Sequence, residues 1–305
     1  ENKYAVMYEK IDFPEPVISM AIVPKSKGDE DKISSGLYKL TEEDPTFTIS
    51  RDEENGDTII SGVGETHLDV IVNKLKNKFG VSIELKNPKI PYRETIRKVS
   101  DVQGKHKKQS GGHGQYGDVK IKFEPRCDGE TDLLFVDKIV GGVVPKQYIP
   151  AVEKGLKESM KHGALAGFPV IGLKATLHDG SYHSVDSSEM AFKIAASIAY
   201  KKAMQQGDSV LLEPIMHLEV HVPNDYMGDV IADINKKRGR VLGMDSCGDL
   251  EKIIAEVPLA EVLKYATDLR ALTGARGSFK MNFQRYEEVP YNEAEKIINK
   301  IKENK

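Results

Sequence analysis

An α+β fold in three segments is predicted by two observations: proline-marked joints and a repeated order of apolar periodicities. Phe13-Pro14-Glu15-Pro16, Asn87-Pro88 to Pro91 and Glu213-Pro214 punctuate the chain. Proline cannot continue a helix or a central strand, so these are natural joints. Between them, period-two and helical spacings follow one another as βαββαβ in the first and last segments, the order of a ferredoxin-like unit. A different α/β segment lies in the middle.

In the first segment Val17–Val23 reads as a strand, and Ile33, Leu37 and Leu40 form one face of a helix. Thr46–Ser50 and Thr58–Gly62 flank Asn55-Gly56, a strong hairpin turn. Leu68, Ile71, Val72, Leu75 and Phe79 stripe a second helix that Gly80 stops, and Val81, Ile83 and Leu85 alternate as the last strand. In the middle segment a strand is expected at Asp118–Glu124, after a basic, glycine-rich stretch. A helix with Ile149, Val152, Leu156 and Met160 inward and Gly163 as its cap follows, then a strand at Val170–Leu177 and a loop at His178–Asp186. Asp186-Ser187-Ser188-Glu189 has the form of a capping box opening an alanine-rich helix with Ile194 and Ile198. The last segment gives a strand at Ile215–Val222, a helix from Asn224 to Gly239, and strands at Arg240–Met244 and Leu250–Val257. A helix over Leu259–Leu269 and a strand at Ser278–Phe283 close it. The expected boundaries are 14–88, 89–210 and 211–290, with 291–305 as a charged, fraying tail.

At 305 residues the chain can bury two or three cores. Charged residues make up 30% and almost cancel, leaving −3, which suits a soluble cytoplasmic protein with several surfaces. Cys127 and Cys247 are far apart and read as free thiols, too few for a disulfide framework or a cysteine-rich zinc site. No run approaches the roughly 20 apolar residues of a membrane span, so no membrane partner is expected. The chain opens Glu1-Asn2-Lys3-Tyr4 without an initiator Met, as a piece of a longer protein would.

Gln109-Ser110-Gly111-Gly112-His113-Gly114-Gln115-Tyr116-Gly117 holds four glycines in nine residues. A backbone this bare turns sharply and approaches a partner closely. Lys105, His106, Lys107 and Lys108 stand directly before it, and Lys89–Lys122 carries nine Lys/Arg against three Asp/Glu. A bare tip on a basic stem suits a polyanion such as folded RNA. The same residues also fit a flexible hairpin with a solvated charge run.

Catalytic and nucleotide-binding patterns are missing. No Gly-x-x-x-x-Gly-Lys-Ser/Thr phosphate loop occurs, and Gly62-Val63-Gly64 and Gly141-Gly142 are too short to serve as one. His217 and His221 lie four apart in a strand, about 13 Å from one another, too far to share a metal. Ser187 and Ser188 open a helix, where capping is their ordinary use. No catalytic residue, cofactor or metal is therefore expected in this chain.

Several motifs resemble bacterial elongation factor G, in order and over nearly the whole length. Ser61-Gly62-Val63-Gly64-Glu65-Thr66-His67-Leu68-Asp69-Val70 is similar to the second-helix signature of its third domain. Lys89-Ile90-Pro91-Tyr92-Arg93-Glu94-Thr95-Ile96 resembles the opening of the fourth domain, and Gln109–Gly117 its first tip loop. Ile139-Val140-Gly141-Gly142-Val143-Val144-Pro145 and Asp179–Phe192 match its later signatures. Leu211–Met216, Tyr226–Val230, Tyr265–Arg270 and Tyr286–Pro290 resemble the fifth domain.

The resemblance implies three C-terminal domains of a ribosomal translocase, with residues 1–13 left from a preceding β-barrel. The middle domain would have a ribosomal-protein-like α/β fold with a left-handed βαβ crossover. GTP and magnesium would belong to an N-terminal GTPase domain absent from these residues. Partners would be the ribosome, with RNA of both subunits and ribosomal proteins, and the tRNA–mRNA pair, bound by a monomer. The contacting tip would comprise Gln109, Ser110, Gly111, Gly112, His113, Gly114 and Gln115 in one loop. The other loop would supply Ser181, Tyr182, His183 and Ser184, with Ser188 beside it. Lys105, Lys107, Lys108 and Lys120 would form the basic stem.

Three positions depart from the family's usual translocase pattern: His113 replaces Arg, Asp118 replaces His and Thr66 replaces Leu. Neutral His lacks the donor fork of Arg, so full translocation strength is in question. The alternative is a factor-G-like paralogue, or a ribosomal-protection or assembly factor that binds ribosomal RNA without full translocase activity.

Overall fold

The computed structural model describes residues 13–52, 56–109, 114–126 and 128–303. They form two compact units, one from residues up to 90 with 215–285 and one from 91–214 with 286 onward.

The first unit holds one ferredoxin-like sheet whole and most of the other, whose β10 and β13 run a few residues beyond its bounds. β1 (Ile18–Pro24), α1 (Glu30–Glu43), β2 (Thr48–Arg51), β3 (Thr58–Gly62), α2 (Glu65–Phe79) and β4 (Ile83–Lys86) give the strand order β2-β3-β1-β4. The helical stripes bury Leu37, Leu40, Leu68, Ile71 and Leu75 completely against Ile60. β10 (Ser209–Pro223), α5 (Met227–Lys236), β11 (Arg240–Cys247), β12 (Leu250–Pro258), α6 (Tyr265–Thr273) and β13 (Ser278–Glu288) repeat the pattern as β11-β12-β10-β13. Their core is separate, built on Leu218, Val220, Val230, Ile234, Ile253 and Tyr265. Arg270 of α6 donates to the Val63 carbonyl at 2.8 Å.

The second unit is built on β5 (Arg93–Ile96), β6 (Ser100–Lys108), β7 (Gln115–Pro125), β8 (Leu134–Asp137), α3 (Ile149–Ser159), β9 (Leu173–Ser181) and α4 (Glu189–Gln206). Its sheet runs β6-β7-β9-β8, antiparallel except for the parallel β8/β9 pair. β8–α3–β9 is thus the parallel βαβ element expected of this segment. β5 pairs with Ser209–Leu212 at the start of β10. Glu94 of β5 is fully buried, and its carboxylate accepts the backbone N–H groups of Leu165, Ala166, Gly167 and Phe168 at 2.9–3.1 Å. Four donors compensate the desolvation of that charge.

Several local expectations change. The basic stretch is itself a strand, β6, because Val102 and Gly104 alternate inward between polar residues. β9 runs on to Ser181, so the expected loop loses its first four residues. α3 ends at Ser159, and Gly163 lies instead against the Glu94 carboxylate. Ser188 alone caps α4, its Oγ accepting Ala191 N–H at 3.2 Å, with Glu189 in the first turn rather than closing a box. The buried face of α4 is Phe192 with the alanines, whereas Ile194 and Ile198 are only half covered. Asn224 and Leu259 each open a short 3-10 turn ahead of the following helix. The charged tail is a helix, α7 (Tyr291–Glu303), whose half-covered Ala294, Ile297, Ile298 and Ile301 keep helical spacing. Its charge obscured that stripe.

Candidate nucleic-acid interface

The basic stem is the β6/β7 hairpin. Lys105 faces Asp118 in register, His106 faces Gly117, Lys107 faces Tyr116 and Lys108 faces Gln115. Lys105, Lys107 and Lys108 are exposed, and among the described residues none is ion-paired. Lys105 Nζ stands 5.5 Å from the centre of the Tyr116 ring, a cation–π distance. Lys120 differs from them. Its ammonium donates to Asp179 Oδ2 at 2.7 Å, and that bond raises its pKa above the ordinary lysine value. It enters any anion contact already neutralised.

The second loop folds back on the hairpin through hydrogen bonds. Ser187 Oγ accepts His183 N–H and donates to the Tyr116 carbonyl, both at 2.9 Å. Tyr116 N–H donates to the Asp186 carbonyl at 2.8 Å, and Gly114 N–H to Asp186 Oδ1 at 2.9 Å. Beneath them a partly buried relay centres on Asp118. The Tyr116 and Ser181 hydroxyls lie 2.7 Å apart, Ser181 Oγ donates to Asp118 Oδ2 at 2.8 Å, and Gln103 Nε2 donates to Asp118 Oδ1 at 2.7 Å. Asp118, the departure from the family's usual His, is thus a buried acceptor with both oxygens engaged.

The two loops therefore make one end of the second unit. Tyr182, His183 and Ser184 are exposed there, as are Gln109 and Gln115. Gln115 Oε1 lies 2.9 Å from His106 Nε2. Ser110, Gly111, Gly112 and His113 lie outside the described residues. Ser181 is half-buried and its hydroxyl is engaged by Tyr116 and Asp118; the Ser188 hydroxyl is engaged in the cap. A cleft of about 150 Å³ opens between Lys107, Lys108, Gln115, Tyr116, His183 and Asp186. The Tyr116 and His183 rings lie 6.3 Å apart on its wall. Asp186 and Tyr116 were not among the residues expected here. Both lie within the loops as drawn from the sequence, where nothing distinguished them from their neighbours.

Gly117 and Gly104 serve the scaffold. A Cβ at Gly117 would lie 2.5 Å from the Ala191 carbonyl oxygen, and one at Gly104 would lie 2.0 Å from that of Ala195. Both face α4, so the helix backbone rests directly on β6 and β7.

The phosphate-loop motif is missing from the 305 residues, and among the described residues no group of three His, Cys, Asp or Glu is arranged to hold a metal ion. No described helix is long and apolar enough to cross a membrane.

Family models of elongation factor G match nearly end to end: domain III over residues 13–87, domain IV over 88–208 and the C-terminus over 210–297. The chain belongs to the elongation factor G family. It is 52% identical over 299 residues to elongation factor G of Thermotoga neapolitana, covering 98% of this chain and 43% of that protein. It is also similar to a crystal structure from Thermus thermophilus, at a TM-score of 0.88 and 46% identity, over 98% of this chain and 46% of that one. The chain thus spans less than half the length of these relatives. Both tip loops and their basic stem fall within the elongation factor G domain IV match.

Proposed function

We propose that this chain is the C-terminal, ribosome-engaging part of a translocase, and that the joined loops of its domain IV contact the tRNA–mRNA pair. The observation that carries this reading is the bonding of the loop at 182–187 to Gly114 and Tyr116 of the hairpin, beside three exposed lysines that have no ion pair among the described residues. Lys105, Lys107 and Lys108 supply the non-specific attraction by releasing counterions from RNA. Backbone amides, Gln109, Gln115 and His183 supply hydrogen bonds to phosphates, 2′-hydroxyls and base edges. The exposed Tyr182 offers a stacking face. In this reading GTP hydrolysis with magnesium belongs to a domain outside these 305 residues. The working protein is a cytoplasmic monomer on the ribosome, contacting RNA of both subunits.

The test joins this chain to the GTPase and barrel domains of a relative and follows tRNA–mRNA movement on 70S ribosomes. His183→Ala should slow movement while ribosome-stimulated GTP hydrolysis stays near the parent rate. Parallel loss of both activities would refute the tip assignment.

A further inference from the structure

Asp186 touches both loops. Oδ1 accepts Gly114 N–H at 2.9 Å, Oδ2 lies 3.3 Å from His183 Nδ1, and the backbone carbonyl accepts Tyr116 N–H at 2.8 Å. Its side chain is only 23% exposed. A carboxylate is unfavourable at an end that approaches phosphate, because like charges repel. It is explained where it serves the protein's own donors: Oδ1 accepts Gly114 N–H, and the backbone N–H of Asp186 donates in turn to His183 Nδ1 at 3.2 Å. Gly114 is closely fitted to it: a Cβ there would lie 2.9 Å from Asp186 Oδ2.

We propose that Asp186 is a positioning residue that couples the two loops, so that Gly114 and His183 present themselves to RNA as one body. It acts through those neighbours and touches no RNA itself. The inference rests on the reading that this end binds ribosomal RNA partners, but its first test does not.

That test uses the 305-residue chain alone, labelled with ¹⁵N-glycine, and measures amide hydrogen exchange at Gly114. Asp186→Ala should speed exchange by about tenfold or more, because the acceptor is gone. Asp186→Asn keeps an acceptor oxygen and should stay within about threefold of the parent. The second test measures affinity for purified 70S ribosomes in a double-mutant cycle. Asp186→Ala and His183→Ala should each weaken binding by about three- to tenfold, and the double variant should be little worse than either single one. Gly114→Ala should likewise weaken binding in the parent and be nearly silent on the Asp186→Ala background.

Unchanged Gly114 exchange in Asp186→Ala overturns the coupling, whatever the ribosome does. Additive losses in the cycle overturn it as well. If Asp186→Ala fails to fold, Gly114→Ala decides: loss of binding supports the coupling, and parent-like binding overturns it. If the parent chain binds no ribosomes, the functional reading fails and the exchange result still decides the coupling.

Discussion

The tip of the second unit and the C-terminal ferredoxin-like sheet of the first use their charges in opposite ways. In the sheet and the helices packed on it, several charges are consumed internally. Glu256 lies between Arg285 and Arg240, with Arg285 Nη2 at 2.7 Å and Arg240 Nη2 at 2.6 Å from Oε2. These guanidiniums hold its carboxyl down at about 2. Lys237 bridges Asp233 at 3.2 Å and Asp268 at 2.9 Å. Lys252 pairs with Glu219 at 2.9 Å. At the tip, hydrogen bonds from neutral donors to backbone carbonyls and to the Asp118 and Asp186 carboxylates do the holding, and among the described residues three lysines stand without ion pairs. Charge density in the sequence therefore does not reveal whether the charges are paired within the protein or left without internal partners.

The contrast can be broken most forcefully at the platform of the tip. Gly117→Val would place side-chain atoms into the Ala191 carbonyl, at a cost of about 3 kcal/mol or more. Thermal unfolding followed by circular dichroism should show the second unit melting at least ten degrees earlier, while hydrogen exchange in the sheet of β10–β13 stays as it was. A melting temperature within a degree or two of the parent would mean that α4 does not rest on this strand.

Next in size is Glu256. Its folded pKa is depressed, so its contribution is present above the unfolded carboxylate value and is lost as pH falls from about 4.5 toward 2. Glu256→Gln should lower stability at pH 7 by about 2 kcal/mol and make the loss between pH 4.5 and 2 shallower. Denaturant melts of parent and variant at a series of pH values measure both. Parallel pH profiles would show that the arginines do not rely on this carboxylate.

The lysines come third. Replacing Lys105, Lys107 and Lys108 together by Gln should reduce the slope of log affinity for 70S ribosomes against log salt by about 2, at about 0.7 per phosphate contact. Retention of the full slope would return the stem to an ordinary solvated face. The smallest effect sharpens the same point. Lys120→Gln should alter that slope by less than about 0.3, because Asp179 already neutralises the ammonium. A change as large as that of an unpaired lysine would show that the surface pair opens on binding.

The element order was legible because apolar spacing at Leu37/Leu40, Leu68/Leu75 and Val220/Val222 records burial directly. The two ferredoxin-like units follow from it, and the family was legible from motif order. Of the residues named for the tip, Lys105, Lys107, Lys108 and His183 stand exposed, while Ser110, Gly111, Gly112 and His113 lie outside the described residues. The tip's wiring was not legible. Asp186 bonds Gly114 across 72 positions, and Tyr116 meets Ser181 across 65, distances at which spacing carries no information. Gly117 misled because a glycine required by a neighbouring helix has the same letter as one required by a turn. α7 was missed for a related reason, since its few isoleucines are outnumbered by charges.

The seating of α4 on Gly104 and Gly117 has a mechanical meaning. Side-chain layers between a helix and a sheet yield under load, since rotamers shift and methyl groups slide. Here backbone meets backbone, leaving no such cushion at those two points. At Gly104 and Gly117 the 18-residue α4, about 27 Å long, is therefore held to β6 and β7 with little room to slide.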